Sequence, residues 1–183
     1  MKKIIFTLSL LLASIVGFAQ GLGIGLKAGA NFATLSADNY SSSSITSYHV
    51  GVYANVKFSD TWGLTPEILW SAQGAELDNV KLETDYVVVP IMIRWRIIEL
   101  ISLEAGPQFN FLTSAELDNV DVMDDMNSST FSAAIGALVH LPLGLNGGIR
   151  YVIGMSDLAE SDSDELKDRT FQIYVGWTIL GAN

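Results

Sequence analysis

Tyr48-His-Val-Gly-Val-Tyr-Ala-Asn-Val-Lys-Phe58 alternates without a break. Tyr48, Val50, Val52, Ala54, Val56 and Phe58 fall on one face, and His49, Gly51, Tyr53, Asn55 and Lys57 on the other. Successive side chains of a β-strand point to opposite sides, so this period of two predicts a strand with one apolar and one mostly polar surface. The pattern recurs along the chain. Strands are expected at 22–34, 47–58, 62–74, 83–96, 100–113, 129–141, 145–156 and 169–180, eight in all.

Ahead of the first strand stands a segment of another kind. Lys2 and Lys3 form a basic start, Ile4 to Val16 an apolar run, and Gly17-Phe-Ala19 a small-residue cleavage site. This reads as a secretory signal peptide over residues 1–19, with the mature domain at 20–183. The apolar run is shorter than the ~20 residues of a spanning helix. Without residues 1–19 the chain carries eight basic and twenty acidic residues, a charge of −12. That balance argues against nucleic acid, whose phosphates demand lysine and arginine. There is no cysteine, hence neither a disulfide framework nor a thiolate site.

The connections alternate in length. Those at 59–61, 97–99 and 142–144 are short, whereas loops near 35–46, 75–82, 114–128 and 157–168 are expected to be long. Outer-membrane barrels show this asymmetry, with short periplasmic turns and long external loops. A barrel with a greasy interior would instead expose the polar face to water, and such a face should be about 25–35 % charged. Here the polar parity of all eight strands holds only Lys27, Lys57, Glu67, Arg94, Arg96, Glu104 and Arg150. The expected fold is therefore all-β: an eight-stranded antiparallel up-and-down transmembrane β-barrel in the cell outer membrane. Its lumen is just wide enough for side chains to fill it.

Sixteen of the twenty acidic residues lie in or beside the long loops. Aromatic residues of the apolar parity form two belts, as the two membrane interfaces require. Phe32, Tyr48, Trp70, Phe109, Phe111, Phe131 and Phe171 lie toward the long loops, and Phe58, Trp62, Trp95 and Trp177 toward the short turns. The hexapeptide Ala75-Glu-Leu-Asp-Asn-Val80 recurs as Ala115-Glu-Leu-Asp-Asn-Val120, after strands 3 and 5 at one end of the barrel.

Several of these stretches together carry a family likeness. They are Gly25-Leu-Lys-Ala-Gly-Ala-Asn-Phe32, Thr65-Pro-Glu-Ile-Leu-Trp-Ser-Ala-Gln-Gly74, Tyr86-Val-Val-Val-Pro-Ile-Met-Ile-Arg94, Leu103-Glu-Ala-Gly-Pro-Gln-Phe-Asn-Phe111, Gly148-Ile-Arg-Tyr-Val-Ile-Gly154 and Arg169-Thr-Phe-Gln-Ile-Tyr-Val-Gly176. In order and spacing they resemble the PorT-like outer-membrane β-barrel family common in Bacteroidetes-type bacteria. The resemblance implies the barrel fold, the outer-membrane location and a non-enzymatic role. Its founding member is tied to a secretion machine, a role that nothing in this sequence requires. Pro66, Pro90 and Pro107 fall inside expected strands, where a missing N–H interrupts the ladder. The family tolerates prolines there, and they are expected at bulges or near a rim.

Candidate sites follow from the parity. Lys27, Glu67, Glu104 and Arg150 lie at similar depths on the inner face, with Arg94 a little nearer the short turns. Unpaired charges in a dry lumen cost several kcal/mol each, so these five are expected to form one charged cluster. Its bland reading is a plug that holds the wall together, and its sharper one a switchable gate for small ions. Asp121, Asp124 and Asp125 in one loop, and Asp162, Asp164 and Glu165 in another, offer oxygen ligands of the kind calcium takes. The EF-hand pattern is absent, and a solvated acidic surface accounts for them equally. A hydrolase site needs an accessible histidine with a serine and a carboxylate. Only His49, with Ser47, Ser42 and Ser44 close in sequence, and His140, beside the Pro142 turn, are available, and both point inward by parity. Ser41 to Ser44 reads as a flexible loop tip, and Gly21, Gly23 and Gly25 are not followed by a helix, so they form no phosphate loop. The expectation is a monomeric barrel without cofactor or catalysis, acting through outer-membrane lipid and loop partners. A narrow pore for small solutes or ions, or a lipid-modifying enzyme, would be the alternatives.

Overall fold

The computed structural model describes residues 21–37, 40–41, 45–77, 80–117, 120–121, 128–155 and 167–181. Among these residues eight long strands follow one another: β1 (Leu22–Ala37), β2 (Ile45–Lys57), β3 (Trp62–Leu77), β4 (Val80–Arg96), β5 (Ile101–Leu117), β6 (Ser129–His140), β7 (Leu145–Gly154) and β8 (Lys167–Gly181). Each pairs antiparallel with the next, and β8 returns to β1 over Gly23↔Gly181 to Ser36↔Lys167. The sheet is therefore closed. Closure matters in lipid, because every backbone N–H and C=O must find its partner inside the protein.

The two faces separate by parity. Val50, Val52, Ile93, Ile173 and Val175 are exposed outward, with Ile91 half-exposed, whereas Lys27, Glu67, Glu104, Arg150, Tyr53 and Tyr174 are buried within. Both aromatic belts lie on the outer face. At the short-turn rim Trp62 and Trp95 stack with centroids 5.7 Å apart, and near the opposite end Phe109 and Phe131 pair at 5.4 Å.

Three features correct the sequence reading. First, the ladder runs past the expected strand ends. Ala75 pairs with Leu82, Glu76 with Lys81 and Leu77 with Val80, so β3 and β4 run on into the segment expected to be a long loop. Leu117 pairs with Val120 in the same way, in a short ribbon at Val120–Asp121, and a second ribbon at Tyr40–Ser41 extends β1. The repeated hexapeptide thus occurs at two equivalent hairpin ends, with Leu and Val three residues apart in register in both. Backbone pairing continues where alternation has already faded into polar rim residues.

Second, the prolines stand mid-strand and cause no bulge. Pro66 faces Ile91, Pro90 faces Gln108 and Pro107 faces Ala133, and no register shift falls at any of them. Instead the ladder skips two positions and resumes in the same register: between Glu67 and Leu64 on β3, between Pro66 and Leu69, and between Pro90 and Ile93. The shifts occur elsewhere, at Ile24/Gly25 and Asp85/Tyr86. The three gaps form a diagonal across β2 to β5, each beside a residue that has no N–H to give.

Third, the inner face, mostly polar by parity, gathers its apolar residues in two places rather than scattering them. Leu69, Tyr86, Val88, Leu112 and Ala115 form a buried apolar cluster toward the long-loop end, and Met92, Ala134 and Val152 form a smaller one.

Candidate functional site in the barrel lumen

Lys27 on β1, Glu67 on β3, Glu104 on β5 and Arg150 on β7 all belong to the inward parity of alternate strands. Their side chains meet on the axis. Arg150 Nη1 and Nη2 donate to Glu67 Oε2 and Oε1 at 3.0 and 2.8 Å. Its Nε and Nη2 donate to Glu104 Oε1 at 2.9 and 2.7 Å. Because β3 and β7 lie four strands apart in a ring of eight, the Arg150–Glu67 fork joins opposite walls. Lys27 Nζ donates to Glu67 Oε1 at 2.5 Å, and Arg94 Nη2 reaches Glu104 Oε2 at 3.3 Å. All but Arg94 are buried almost completely. Desolvation of such charges is offset only when geometry and remaining hydrogen bonds are both good, and here each carboxylate accepts from at least two cationic donors.

Neutral residues complete the cluster, and the sequence reading did not single them out. Tyr174 Oη donates to Glu104 Oε1 at 2.8 Å, while its ring lies 4.0 Å from Lys27 Nζ. Asn55 Oδ1 accepts from Arg94 Nη1 at 2.9 Å and from Thr65 at 3.1 Å. Tyr53 Oη bonds Thr178 and accepts from Asn146, both at 2.9 Å. The one available signal for these residues was a tyrosine or asparagine on the inner parity of an otherwise apolar strand. Space for the rings comes from glycine. A Cβ on Gly148 would come within 2.5 Å of Tyr174 Cζ and Oη, and one on Gly25 would collide with Tyr53.

A profile of the family described as outer membrane protein beta-barrel domain matches residues 18–160. The chain belongs to that family. It is an outer-membrane β-barrel, and solved structures share its fold. Ail, the attachment invasion locus protein of Yersinia pestis, aligns at 16 % identity with a TM-score of 0.56, covering 86 % of this chain and 98 % of Ail. Ail has also been seen in complex with the heparin analogue sucrose octasulfate. Neisserial surface protein A aligns at 11 % identity and a TM-score of 0.57, over 87 % of this chain and 99 % of that one. A major outer membrane protein from Thermus thermophilus aligns at 10 % identity and a TM-score of 0.50, over 85 % and 98 %. At these identities the likeness is one of fold. No curated protein matches the sequence.

The remaining candidates of this outer-membrane barrel lie apart from the cluster. His49 is buried toward the long-loop end, where its Nδ1 lies 2.7 Å from Asn31 Oδ1. Asn31 in turn donates to Ser71 at 2.9 Å and accepts from Gln172 at 3.0 Å. An amide therefore occupies the place that a carboxylate would hold beside a catalytic histidine. Ser47 Oγ is buried without a partner, and Ser42 and Ser44 lie outside the described residues. His140 stands at the short-turn mouth, 2.8 Å from Ser102 Oγ. Of the proposed cation ligands, Asp124, Asp125, Asp162, Asp164 and Glu165 lie outside the described residues, and Asp121 falls in the short ribbon. Residues 1–19, read as a signal peptide, also lie outside them.

Proposed function

We propose that this outer-membrane barrel is a plugged, non-conducting wall element that acts through its acidic external loops. The observation that supports a plug is the Arg150 fork, which ties β7 to β3 across the axis and to β5 beside it. Tyr174, Lys27 and Arg94 occupy the space around it. A water-filled pore needs this cross-section free.

By sequence, sixteen of the twenty acidic residues fall in or beside the connections expected at the external end. Ail binds a polyanionic heparin analogue. The opposite loop charge here favours a basic partner, because like-charged surfaces repel on approach. Catalysis is not part of the proposal, since His49 is buried and its Nδ1 is held by an amide. Export through cleavage after Ala19, a monomeric state, and membership of the PorT-like branch complete the reading, each resting on the sequence.

Planar-bilayer recording of the refolded protein tests the plug. The expected trace is free of stable steps. Steps of nanosiemens size would replace this reading with the narrow pore.

A further inference from the structure

Beyond the lumen cluster, the short-turn mouth holds a small cleft of about 30 Å³ that opens to solvent. Lys57, Arg94, Arg96, Asn55, Ser102 and His140 line it. Three of them are cations, and the one acid of the lining, Asp60, is exposed on the β2–β3 turn. This inverts the character of a chain whose formal charge is −10. We propose that this mouth is a binding site for a small oxyanion, a phosphate or a carboxylate group.

Charge bookkeeping inside the barrel supports the site. Lys27, Arg94 and Arg150 face two carboxylates, Glu67 and Glu104, in the cluster above. Both acids are thus already engaged, and neither is left to neutralise the mouth. The positive fields of Arg96 and Arg94 fall on Lys57 against the opposing field of Asp60, and those of all three cations fall on His140. A cleft with protein walls strengthens such fields and concentrates counter-ions.

The donors are also of the right kind. Arg94 spends Nη1 on Asn55 and Nη2 on Glu104, which leaves its Nε buried without a partner. His140 keeps Nδ1 buried and unpaired while its Nε2 faces Ser102. Guanidinium groups present planar forks that match phosphate and carboxylate oxygens. The stacked Trp62 and Trp95 at the same rim would suit the glycerol and acyl portion of a phospholipid, so a lipid headgroup and a free anion are two sources of one chemistry.

The chain has two histidines, which makes the test direct. Protein labelled with ¹³C-histidine is refolded in a non-ionic detergent. Chloride is then replaced by inorganic phosphate at fixed pH and ionic strength. The His140 ring signal should shift saturably, and that of His49, on the far side of the cluster, should stay in place. Arg96→Gln should weaken the response at least tenfold while heat-modifiable gel mobility shows the barrel folded. Lys57→Gln carries the same expectation should Arg96→Gln fail to fold. A parallel titration uses short-chain phosphatidylglycerol. Saturation by that lipid alone assigns the site to headgroups, and saturation by phosphate as well assigns it to free oxyanions. A linear response to both probes, equal shifts of both histidines, or unchanged binding in the folded variants overturns the site.

Discussion

Arg150 Nη2 is shared between Glu67 Oε1 at 2.8 Å and Glu104 Oε1 at 2.7 Å, so one nitrogen bridges two carboxylates on different walls of the barrel. Removing the guanidinium takes from both buried acids the donor they share and leaves Glu67 with Lys27, and Glu104 with Arg94 and Tyr174. Arg150→Met should therefore cost about 3–5 kcal/mol of stability, the range for removing one partner from a buried ion-pair network. Urea-dependent unfolding in lipid vesicles, followed by tryptophan fluorescence, measures it. Replacing Lys27, Glu67, Glu104 and Arg150 together by apolar residues of similar volume should recover most of the loss, since of the cluster's charges only the part-exposed Arg94 then remains, still bonded to Asn55.

The outward orientation makes a separate prediction. Ile173 is 48 % exposed at mid-strand, and Phe58 is 57 % exposed at the short-turn rim. Ile173→Arg should cost about 2–4 kcal/mol and Phe58→Arg about 0–1 kcal/mol, because a cation on the lipid face is penalised by depth. Equal costs in the same unfolding assay would mean that the outer face does not lie against hydrocarbon.

Gly148 should tolerate no side chain. Its missing Cβ leaves room for the Tyr174 ring, which could not stay in place beside even an alanine. Gly148→Val is expected to destabilise by about 1–3 kcal/mol, the range for overpacking a filled interior. Tyr174→Ala in the same background should relieve the part of the clash that the ring causes, leaving the contact with the Ala137 carbonyl oxygen at 2.8 Å and the lost Tyr174–Glu104 bond as the residual cost; a double-mutant cycle measures the coupling to the ring.

Leu143 lies in the turn before β7 with φ of 64° and is 89 % exposed. A left-handed backbone costs a residue with a Cβ about 1–2 kcal/mol. Leu143→Gly or Leu143→Asn should raise the unfolding midpoint by a corresponding amount. An unchanged midpoint would show that contact of the leucine with the membrane interface offsets the strain.

The proline diagonal should be visible in hydrogen exchange. Backbone amides near residues 54–55, 67–68, 91–92 and 106 lie where the ladder of β2 to β5 is skipped. They are expected to exchange ahead of amides at the same depth in β6 to β8, whose ladders run unbroken. Uniform protection around the barrel would contradict this.

Alternation was enough to read the wall, because a strand side chain can point only in or out. Tyr48 to Phe58 alone fixes which residues of β2 share a face, the scarcity of charge on the polar parity of all eight strands turns the other face to lipid, and the same parity puts Lys27, Glu67, Glu104 and Arg150 inside. Partner identity was not legible in the same way. It depends on strand stagger, which no single strand encodes, and so Asn55 beside Arg94 and Tyr174 beside Glu104 emerge only in three dimensions. The ribbons at Leu77↔Val80 and Leu117↔Val120 escaped notice because rim residues keep backbone pairing after losing the apolar rhythm. The prolines misled for a physical reason as well: a ladder can omit two positions and keep its register, which a sequence cannot distinguish from a bulge.

The charged cluster draws Lys27 from β1, Glu67 from β3, Glu104 from β5, and Arg150 and Tyr174 from β7 and β8. No partial sheet contains all of these groups. In an open sheet Glu67 and Arg150 lie four strands apart, so their fork forms only once the β8–β1 seam curls the sheet into a ring and brings opposite walls together. Seam formation and charge compensation become a single event, so an unfinished assembly intermediate is penalised and the polypeptide is driven to complete its ring.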